Sequence, residues 1–339
     1  NFNGNTFAEQ ALKLGASYAV VDEKEFQTND RILLVADVLK ALQELANFHR
    51  KQLHIPIIGL TGSNGKTTTK ELIHVVLSKK FNTIATKGNL NNHIGVPLTL
   101  LSMTNKTELG IVEMGANHQK EIEFLCTICE PDFGYITNFG KAHLEGFGGV
   151  NADDAIQVEK TKEIKSVSFT TETIQFLEVN PFVKLSYGNT TIQSNLIGKY
   201  NFTNIAAAIA MGTYFKISKT AIKEAIESYI PANNRSQILT TKYNTIILDA
   251  YNANPSSMQV ALENFDTLKA PSKVVILGDM FELGKESEHE HQAIVDLATA
   301  FNFDETYFVG ENFNIAKTNK PQFKTYQVFE DFLKKNPLK

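Results

Sequence analysis

After residue 53, short apolar runs alternate with longer segments of helical periodicity. Ile55 to Leu60 is an apolar run that predicts a strand buried on both faces of a parallel sheet. Thr68 to Lys80 then places its leucines and valines on one side of a predicted helix. Further strands are predicted at Thr83–Thr86, Leu109–Glu113 and Gly134–Asn138. This order of strands and helices predicts an α/β domain built on a parallel sheet.

The distribution of these patterns predicts three α/β domains. Residues 1–52 contain two helices and two short strands but begin abruptly, so we expect a partial N-terminal domain whose first part is missing. Residues 53–230 form the predicted central P-loop-type ATPase domain, and residues 231–339 form an incomplete, Rossmann-like ligand-binding domain. Strands of this last domain are predicted at Thr245–Leu248, Val274–Leu277, Thr306–Val309 and Thr325–Val328.

A polar, glycine-containing segment, Thr61–Thr68, lies between the first buried strand and its helix. The N–H groups and dipole of a helix start attract anions, and Gly62 and Gly65 let the backbone approach phosphate oxygens closely. Lys66 can reach terminal phosphates, and the Thr67 hydroxyl is placed to ligate Mg²⁺. The first glycine comes two positions later than the usual P-loop pattern requires. An ordinary loop is the alternative, but the flanking strand and helix favour phosphate binding.

Polar side chains also follow the other predicted strands of this sheet. Thr86–His93 follows the second strand, Glu113 ends the third, and Asn138–His143 follows the fourth. Ligands bind at the carboxyl edge of such sheets, so four strands deliver polar groups to one place. Glu113 would hold or orient a metal beside a triphosphate, with a solvated strand end as the alternative. For His143 the choice lies between a loop histidine and an Mg²⁺ ligand, and for residues 89–92 between a turn and a binding loop.

Composition argues against several other classes of protein. A net charge of −4 gives no basic surface for nucleic acid. No apolar run reaches a membrane span and no secretory pattern is present, which predicts a cytoplasmic protein. Cys126 and Cys129 could form a redox motif or half a zinc site, but both fall on the apolar stripe of one helix, which favours core packing. His289 and His291 point to different sides of a predicted helix, so we expect no shared metal.

Several longer strings resemble those of the Mur ligases, and together they span nearly all of the chain. They are Thr-Gly-Ser-Asn-Gly-Lys-Thr-Thr (61–68), Gly-Asn-Leu-Asn-Asn-His-Ile-Gly-Val-Pro (88–97), Val-Glu-Met-Gly (112–115), Ile-Thr-Asn-Phe-Gly-Lys-Ala-His-Leu-Glu-Gly-Phe-Gly (136–148), Asn-Phe-Thr-Asn-Ile-Ala-Ala-Ala (201–208), Asn-Arg-Ser (234–236) and Asp-Ala-Tyr-Asn-Ala-Asn-Pro (249–255). The resemblance implies an ATP-dependent amide ligase that uses ATP and Mg²⁺.

Within this family, residues 89–92 and 249–255 favour the member that joins D-alanyl-D-alanine to a UDP-N-acetylmuramoyl-tripeptide in peptidoglycan precursor synthesis. A sibling that adds a single amino acid, or a folylpolyglutamate synthetase-like ligase, is the first alternative. A nucleotide-binding protein that switches partners without ligation is the second. We expect a monomer that binds these two substrates and no nucleic acid.

The resemblance also implies a role for each matching residue. ATP would be bound by Thr61, Gly62, Ser63, Asn64, Gly65, Lys66, Thr67, Thr68, Asn201, Asn204, Arg235 and Asp249, with Asn201 and Asn204 near the adenine and Asp249 near the ribose. The other substrates would be bound by Thr86, Asn89, Asn91, Asn92, Tyr251, Asn252 and Asn254. Metal would be held by Thr67, Glu113 and His143, and catalysis would use Lys66, Glu113, His143 and Arg235.

Three departures from the family pattern limit this transfer. The family has a carbamylated lysine shortly after the His143 loop, where this sequence passes from Val150 to Asn151 without an expected helix and strand. No residue here can take that role, and neither Lys160 nor Lys162 is proposed for it. Most of the uridine-binding N-terminal portion and a stretch beyond the last residue are also absent. We expect residues omitted from the sequence rather than a catalytically dead protein.

Overall fold

The computed structural model describes residues 3–138, 173–232 and 234–338. Its helices are α1 (Ala8–Lys13), α2 (Val38–Leu53), α3 (Lys66–Leu77), α4 (Gly95–Leu101), α5 (Glu121–Cys129), α6 (Asn201–Tyr214), α7 (Lys219–Ser228), α8 (Pro255–Thr267), α9 (Ser287–Ala300) and α10 (Tyr326–Lys335). Its strands are β1 (Ala19–Val21), β2 (Ile32–Leu34), β3 (Ile57–Thr61), β4 (Thr83–Ala85), β5 (Leu109–Glu113), β6 (Phe133–Ile136), β7 (Ile174–Val179), β8 (Phe182–Tyr187), β9 (Thr190–Ile197), β10 (Gln237–Thr240), β11 (Thr245–Leu248), β12 (Val274–Gly278), β13 (Glu305–Val309) and β14 (Gln322–Phe323).

The central sheet has the strand order β4-β5-β3-β6, and every neighbouring pair is parallel. All residues of β3 and β5 are buried, which explains their nearly continuous apolar sequence. Helices α3 and α6 pack against one face of the sheet, with α7 packed on α3 and β9. Helices α4 and α5 cover the other face, with α2 packed on both of them. The predicted parallel sheet is confirmed, and its carboxyl edge carries the polar segments.

Smaller sheets complete the fold. Strands β7, β8 and β9 form an antiparallel sheet, and β1 pairs in parallel with β2. In the C-terminal part, β12, β13 and β14 are parallel, as an α/β unit requires. The predicted strand at Thr245–Leu248 is present as β11, but it pairs antiparallel with β10 instead of joining that parallel sheet.

The predicted strand at Thr325–Val328 is wrong. Thr325 instead caps α10, and its side chain accepts a hydrogen bond from the Val328 N–H. Threonine, tyrosine, valine and phenylalanine favour strands in isolation, but tertiary packing decides between the two structures. Here Phe329 is buried, and the rings of Phe329 and Phe332 pack against Tyr307 with centroids 5.4 and 5.8 Å away. Helical spacing brings both rings to the same side.

The sequence pattern did not predict α4, because its first turn contains both glycine and proline. Asn92 supplies the start signal, since its Oδ1 accepts hydrogen bonds from the N–H groups of Ile94 and Gly95 at 3.1 and 2.9 Å. Pro97 lies in the first turn, where a missing N–H costs no helical hydrogen bond. A Cβ on Gly95 would lie 2.2 Å from the carbonyl carbon of Leu90, so only glycine fits this close approach.

The predicted core packing of the two cysteines is confirmed, and His289 and His291 lie on different sides of α9. Cys129 is buried and Cys126 partly buried in the same hydrophobic cluster, and burial raises the pKa of both thiols. His291 is buried and its Nε2 accepts a hydrogen bond from the Met280 N–H at 3.0 Å, whereas the His289 side chain is 75% exposed. None of the helices in the described ranges has the length and apolar character that a membrane span requires.

Arg50 ties α2 to the loop between α5 and β6. Its guanidinium donates to the carbonyls of Cys129 and Glu130 at 3.1 Å each and pairs with Asp132 at 2.7 Å. Arg50→Ala should lower the free energy of unfolding by about 2–4 kcal/mol, because these acceptors lose a partner in a poorly hydrated place. Urea unfolding followed by circular dichroism measures the change.

Lys40→Ala is the control for this substitution. Lys40 forms an exposed pair with Glu44 at 3.8 Å, and such pairs contribute less than about 1 kcal/mol. If Arg50→Ala destabilises the protein no more than Lys40→Ala does, the proposed connection between α2 and the α5–β6 loop is wrong.

Candidate functional site

The segment between β3 and α3, residues 62–65, forms the predicted loop at a helix start, and we call it the phosphate loop. Gly62 and Gly65 have φ values of +131° and +78°, which favour glycine. A Cβ on Gly62 would lie 2.1 Å from the Thr137 hydroxyl oxygen. From the end of β6, Thr137 Oγ1 donates to the Asn64 carbonyl at 2.6 Å, and Asn138 Oδ1 accepts from the Asn64 N–H at 3.0 Å. The loop is therefore fixed from the neighbouring strand.

Lys66 opens α3 and turns its ammonium back over the phosphate loop. Its Nζ donates to the carbonyls of Gly62 and Ser63 at 2.7 and 3.1 Å. Desolvation lowers the pKa of Lys66, the Glu113 carboxylate opposes this shift, and the charge of Arg235 adds to it. The ammonium is thus poorly hydrated and bonded to neutral carbonyls. An anion such as a triphosphate would supply a counter-charge and stabilise the protonated form.

Glu113 lies at the end of β5 and is 1% exposed. Its Oε1 accepts hydrogen bonds from Thr67 Oγ1 at 3.2 Å and from Asn91 Nδ2 at 2.9 Å. Its other oxygen, Oε2, is buried and has no hydrogen-bond partner among the described residues. A buried carboxylate oxygen without a hydrogen-bond partner is costly, so this atom is suited to bind a cation.

The donor set around Glu113 fits Mg²⁺. A carboxylate and the Thr67 hydroxyl are hard oxygen ligands, and Mg²⁺ commonly takes one or two protein ligands together with phosphate oxygens and water. In the described ranges no group of three or more histidine, cysteine, aspartate and glutamate side chains could hold a metal, so a closed protein cage is not available there. His143, the third predicted ligand, lies outside the described residues.

Asn201 and Asn204 brace the phosphate loop from α6. Asn204 Nδ2 donates to Asn201 Oδ1 at 2.8 Å, and Asn204 Oδ1 accepts from Thr69 Oγ1 at 3.0 Å. A Cβ on Gly65 would lie 2.9 Å from the same Oδ1. Both asparagines are buried, and these contacts place Asn204 directly against the phosphate loop. Their contact with adenine stays a prediction.

Arg235, Asp249 and Tyr251 approach from the C-terminal part. The Arg235 guanidinium carbon lies 3.8 Å from the centre of the Tyr251 ring, which is cation–π geometry. The Nε of Arg235 is buried and has no hydrogen-bond partner in the described part of the chain. Desolvation raises the pKa of Asp249, although its Oδ1 accepts a hydrogen bond from the Ser236 N–H at 3.3 Å. The arginine thus has unused hydrogen-bonding capacity beside the phosphate loop.

These groups enclose a cleft of about 980 Å³, and its two walls are formed by the central part and the C-terminal part. Most of the predicted site residues line it: Ser63, Asn64, Gly65, Lys66, Thr67, Thr68, Asn89, Asn91, Asn92, Glu113, Asn201, Asn204, Arg235, Asp249, Tyr251, Asn252 and Asn254. Thr61, at the end of β3, and Gly62, the first residue of the phosphate loop, do not line the cleft. Thr86 is buried and does not line the cleft. Its hydroxyl accepts a hydrogen bond from the Glu113 N–H at 2.9 Å, and its carbonyl accepts one from the Lys70 ammonium at 2.6 Å. Direct substrate contact by Thr86 stays a prediction.

Several lining residues were missed from the sequence. Tyr200 and Ser236 join the two walls through their hydroxyl groups at 2.6 Å, and burial with the nearby Asp249 charge raises the pKa of Tyr200 to about 12. Asn117 and His118 line the end of the cleft near α5. Tyr200 directly precedes the string at 201–208, and Ser236 is the last residue of the string at 234–236, so these two strings were the available signal.

Comparisons with known proteins agree with this geometry. The Mur ligase middle domain family matches residues 60–152, and the family described as Mur ligase, glutamate ligase domain matches residues 234–334. The UDP-N-acetylmuramoyl-tripeptide–D-alanyl-D-alanine ligase of Bacillus subtilis is 32% identical over 343 residues, covering 91% of this chain and 75% of that relative. This chain belongs to the Mur ligase family. Mur ligases are ATP-dependent, so the chain is an ATP-dependent ligase.

Two solved Mur ligase structures also resemble the fold closely. MurF from Acinetobacter baumannii has a TM-score of 0.83 and 29% identity, covering 99% of this chain and 83% of that chain. The MurF ligase of Thermotoga maritima, solved in complex with ADP, has a TM-score of 0.82 and 25% identity, covering 100% of this chain and 86% of that chain. The predicted family, fold class and use of ATP and Mg²⁺ are therefore confirmed.

Glu113→Gln tests the metal assignment. Glutamine keeps the shape and can still accept from Thr67, but it cannot offer an anionic ligand. We expect ATP-dependent turnover to fall at least about 100-fold and the Mg²⁺ concentration for half-maximal activity to rise, because charge neutralisation at the phosphates is lost.

Glu123→Gln is the matched control, because Glu123 is an exposed residue of α5. Steady-state ADP formation over a Mg²⁺ titration measures both variants, and thermal unfolding verifies the fold. A Glu113→Gln enzyme with the turnover and Mg²⁺ requirement of Glu123→Gln would exclude Glu113 as a metal ligand.

Proposed function

We propose that this chain joins D-alanyl-D-alanine to a UDP-N-acetylmuramoyl-tripeptide, with hydrolysis of ATP to ADP and phosphate. The observation that carries this proposal is the cleft itself. One wall presents the phosphate loop, the partly buried ammonium of Lys66 and the Glu113 oxygen that has no hydrogen-bond partner among the described residues, and the other presents Arg235. Relatives named for this reaction match most of the chain. A cytoplasmic location and a monomeric state stay predictions.

In the first step, a terminal carboxylate oxygen of the tripeptide attacks the γ-phosphorus of ATP. The bond from this phosphorus to the bridging oxygen breaks, which gives an acyl phosphate and ADP. Lys66 and the phosphate loop hold the β- and γ-phosphates, and Arg235 neutralises charge on the transferred group. Mg²⁺ held by Thr67 and Glu113 would supply further charge neutralisation.

In the second step, the amine of D-alanyl-D-alanine attacks the acyl carbon. The tetrahedral intermediate loses phosphate, and the amine nitrogen loses a proton as the amide forms. The asparagines at 89, 91 and 92 lie on the central wall, where we place the muramoyl-peptide. Tyr251 and Asn252 lie on the C-terminal wall, where we place the nucleotide and the entering dipeptide. Catalysis is then mainly positioning of the reactants between the two walls of the cleft.

A panel of amines tests the dipeptide assignment. With ATP and the UDP-linked tripeptide held constant, we expect phosphate release with D-alanyl-D-alanine to exceed that with any single amino acid by at least about 100-fold, because a site built for a dipeptide leaves polar groups unpaired with a shorter amine. Glutamate tests the folylpolyglutamate synthetase-like alternative. Phosphate release independent of the amine, or faster with a single amino acid, would reject the proposal.

Lys66→Ala tests the use of the phosphate loop. The substitution should reduce ligation at least about 100-fold, because one positive charge beside the transferred phosphate is lost. The fold should persist, since the Lys66 ammonium contacts only loop carbonyls. Lys79→Ala, in the exposed turn just after the same helix, is the control, because Lys79 pairs only weakly with Glu224 at 3.5 Å. Equal turnover in both variants would contradict the role of Lys66.

A further inference from the structure

A hydrogen bond between two asparagines connects the phosphate loop to the C-terminal part. Asn254 Nδ2 donates to Asn64 Oδ1 at 2.8 Å, although the residues are 190 positions apart. Asn64 lies next to Gly65 in the phosphate loop, and Asn254 is the N-cap of α8. The resemblance implies only that Asn254 lies near the nucleotide and the dipeptide, which leaves this contact without a role.

The local structure explains why asparagine occupies position 254. Its Oδ1 accepts a hydrogen bond from the Ser257 N–H at 2.8 Å, and Ser257 Oγ accepts from the Asn254 N–H at 3.1 Å, so the two residues form a capping box. Serine and aspartate cap helices as well as asparagine does. Neither of them has an amide N–H to donate. Only the asparagine side chain can cap α8 and reach across to Asn64 with the same group.

At the other end of this bond, the backbone of Asn64 is held rigidly. Its N–H is bonded to Asn138 Oδ1, and its carbonyl accepts from Thr137 Oγ1 and Asn138 Nδ2 at 2.6 and 3.1 Å. The Asn64 side chain therefore presents Oδ1 at a position that is correct only while the phosphate loop keeps this conformation. The hydrogen bond from Asn254 to that oxygen therefore depends on the conformation of the phosphate loop.

We propose that Asn254 is a positioning residue that couples docking of the C-terminal part to the ordered phosphate loop, through Asn64. The bond brings the start of α8 to the loop, and with it the preceding segment that carries Tyr251 beside Arg235. The proposal rests on the ATP-dependent part of the proposed function and does not depend on which amine is joined.

A double-mutant cycle tests this coupling. Asn64→Ala removes the acceptor, and Asn254→Ser keeps a capping hydroxyl but is too short to reach Asn64. Each variant should lower kcat/KM for ATP about three- to tenfold, as expected for loss of one hydrogen bond. The kcat/KM of the double variant should be no lower than that of the more impaired single variant, because both substitutions remove the same bond.

Two control variants separate the bond from the helix cap. Asn254→Ser should keep the melting temperature of the wild type, whereas Asn254→Ala should lower it, because only the latter removes the cap. Gln259→Ala, on the exposed side of α8, should leave both melting temperature and kcat/KM unchanged, because Gln259 bonds only to Glu263 within the helix.

Losses that multiply in the double variant would overturn the proposal, and so would wild-type kcat/KM in Asn254→Ser. The same cycle is measured on the dissociation constant of a non-hydrolysable ATP analogue with Mg²⁺. If the wild type binds the analogue but joins no dipeptide, the proposed function is wrong. The dissociation constants of the four proteins in the cycle still test whether Asn64 and Asn254 are coupled. If ligation occurs and the cycle is additive, only the coupling fails.

Discussion

A buried carboxylate organises this site, with one oxygen bonded and the other without a partner in the part of the chain that the structure describes. Glu113 ends β5, and its contacts come from two neighbouring segments of the carboxyl edge: Thr67 at the start of α3, and Thr86 and Asn91 in the segment after β4. Parallel pairing of β3 with β5 places Leu60 opposite Glu113 and so fixes the phosphate loop beside it. The sheet thereby brings a metal ligand and an anion-binding loop together, and neither is useful for phosphoryl transfer without the other.

The C-terminal part completes the chemistry from the opposite side. The guanidinium of Arg235 lies in the cleft and stacks on Tyr251. This contact positions the guanidinium and leaves its positive charge unneutralised. Lys66 faces the same space, and the mutual repulsion of these two cations contributes to its lowered pKa. A triphosphate relieves that repulsion, so binding of the nucleotide and approach of the two walls favour each other.

The sequence was most informative where function depends on local backbone geometry. Gly62, Gly65 and Lys66 act through a strand–loop–helix order that is visible in the sequence, and the helical spacing of Cys126 and Cys129 likewise predicted their burial. The sequence was least informative where contacts between distant residues decide. The strand preference of residues 325–328 is overridden by packing against Tyr307, and α4 begins because of the Asn92 side chain.

The same distinction applies within the site. That polar groups meet at the carboxyl edge follows from strand order alone, and this was predictable. The contact of Asn204 with Gly65 and the bond from Asn254 to Asn64 depend on the packing of α6 and α8 against the phosphate loop. The hydrophobic periodicity of the sequence does not encode this packing. Thr86, in the polar segment after β4, likewise has a contact that the pattern did not predict, since its hydroxyl accepts a hydrogen bond from the Glu113 N–H.

The most direct measurement of the central claim is a crystal structure with a non-hydrolysable ATP analogue and Mn²⁺, whose anomalous scattering locates the metal. The account predicts β- and γ-phosphates against residues 62–67, and the metal bonded to Thr67 Oγ1 and Glu113 Oε2. Phosphates bound elsewhere in the cleft, or a metal that leaves Glu113 Oε2 without a ligand, would contradict it.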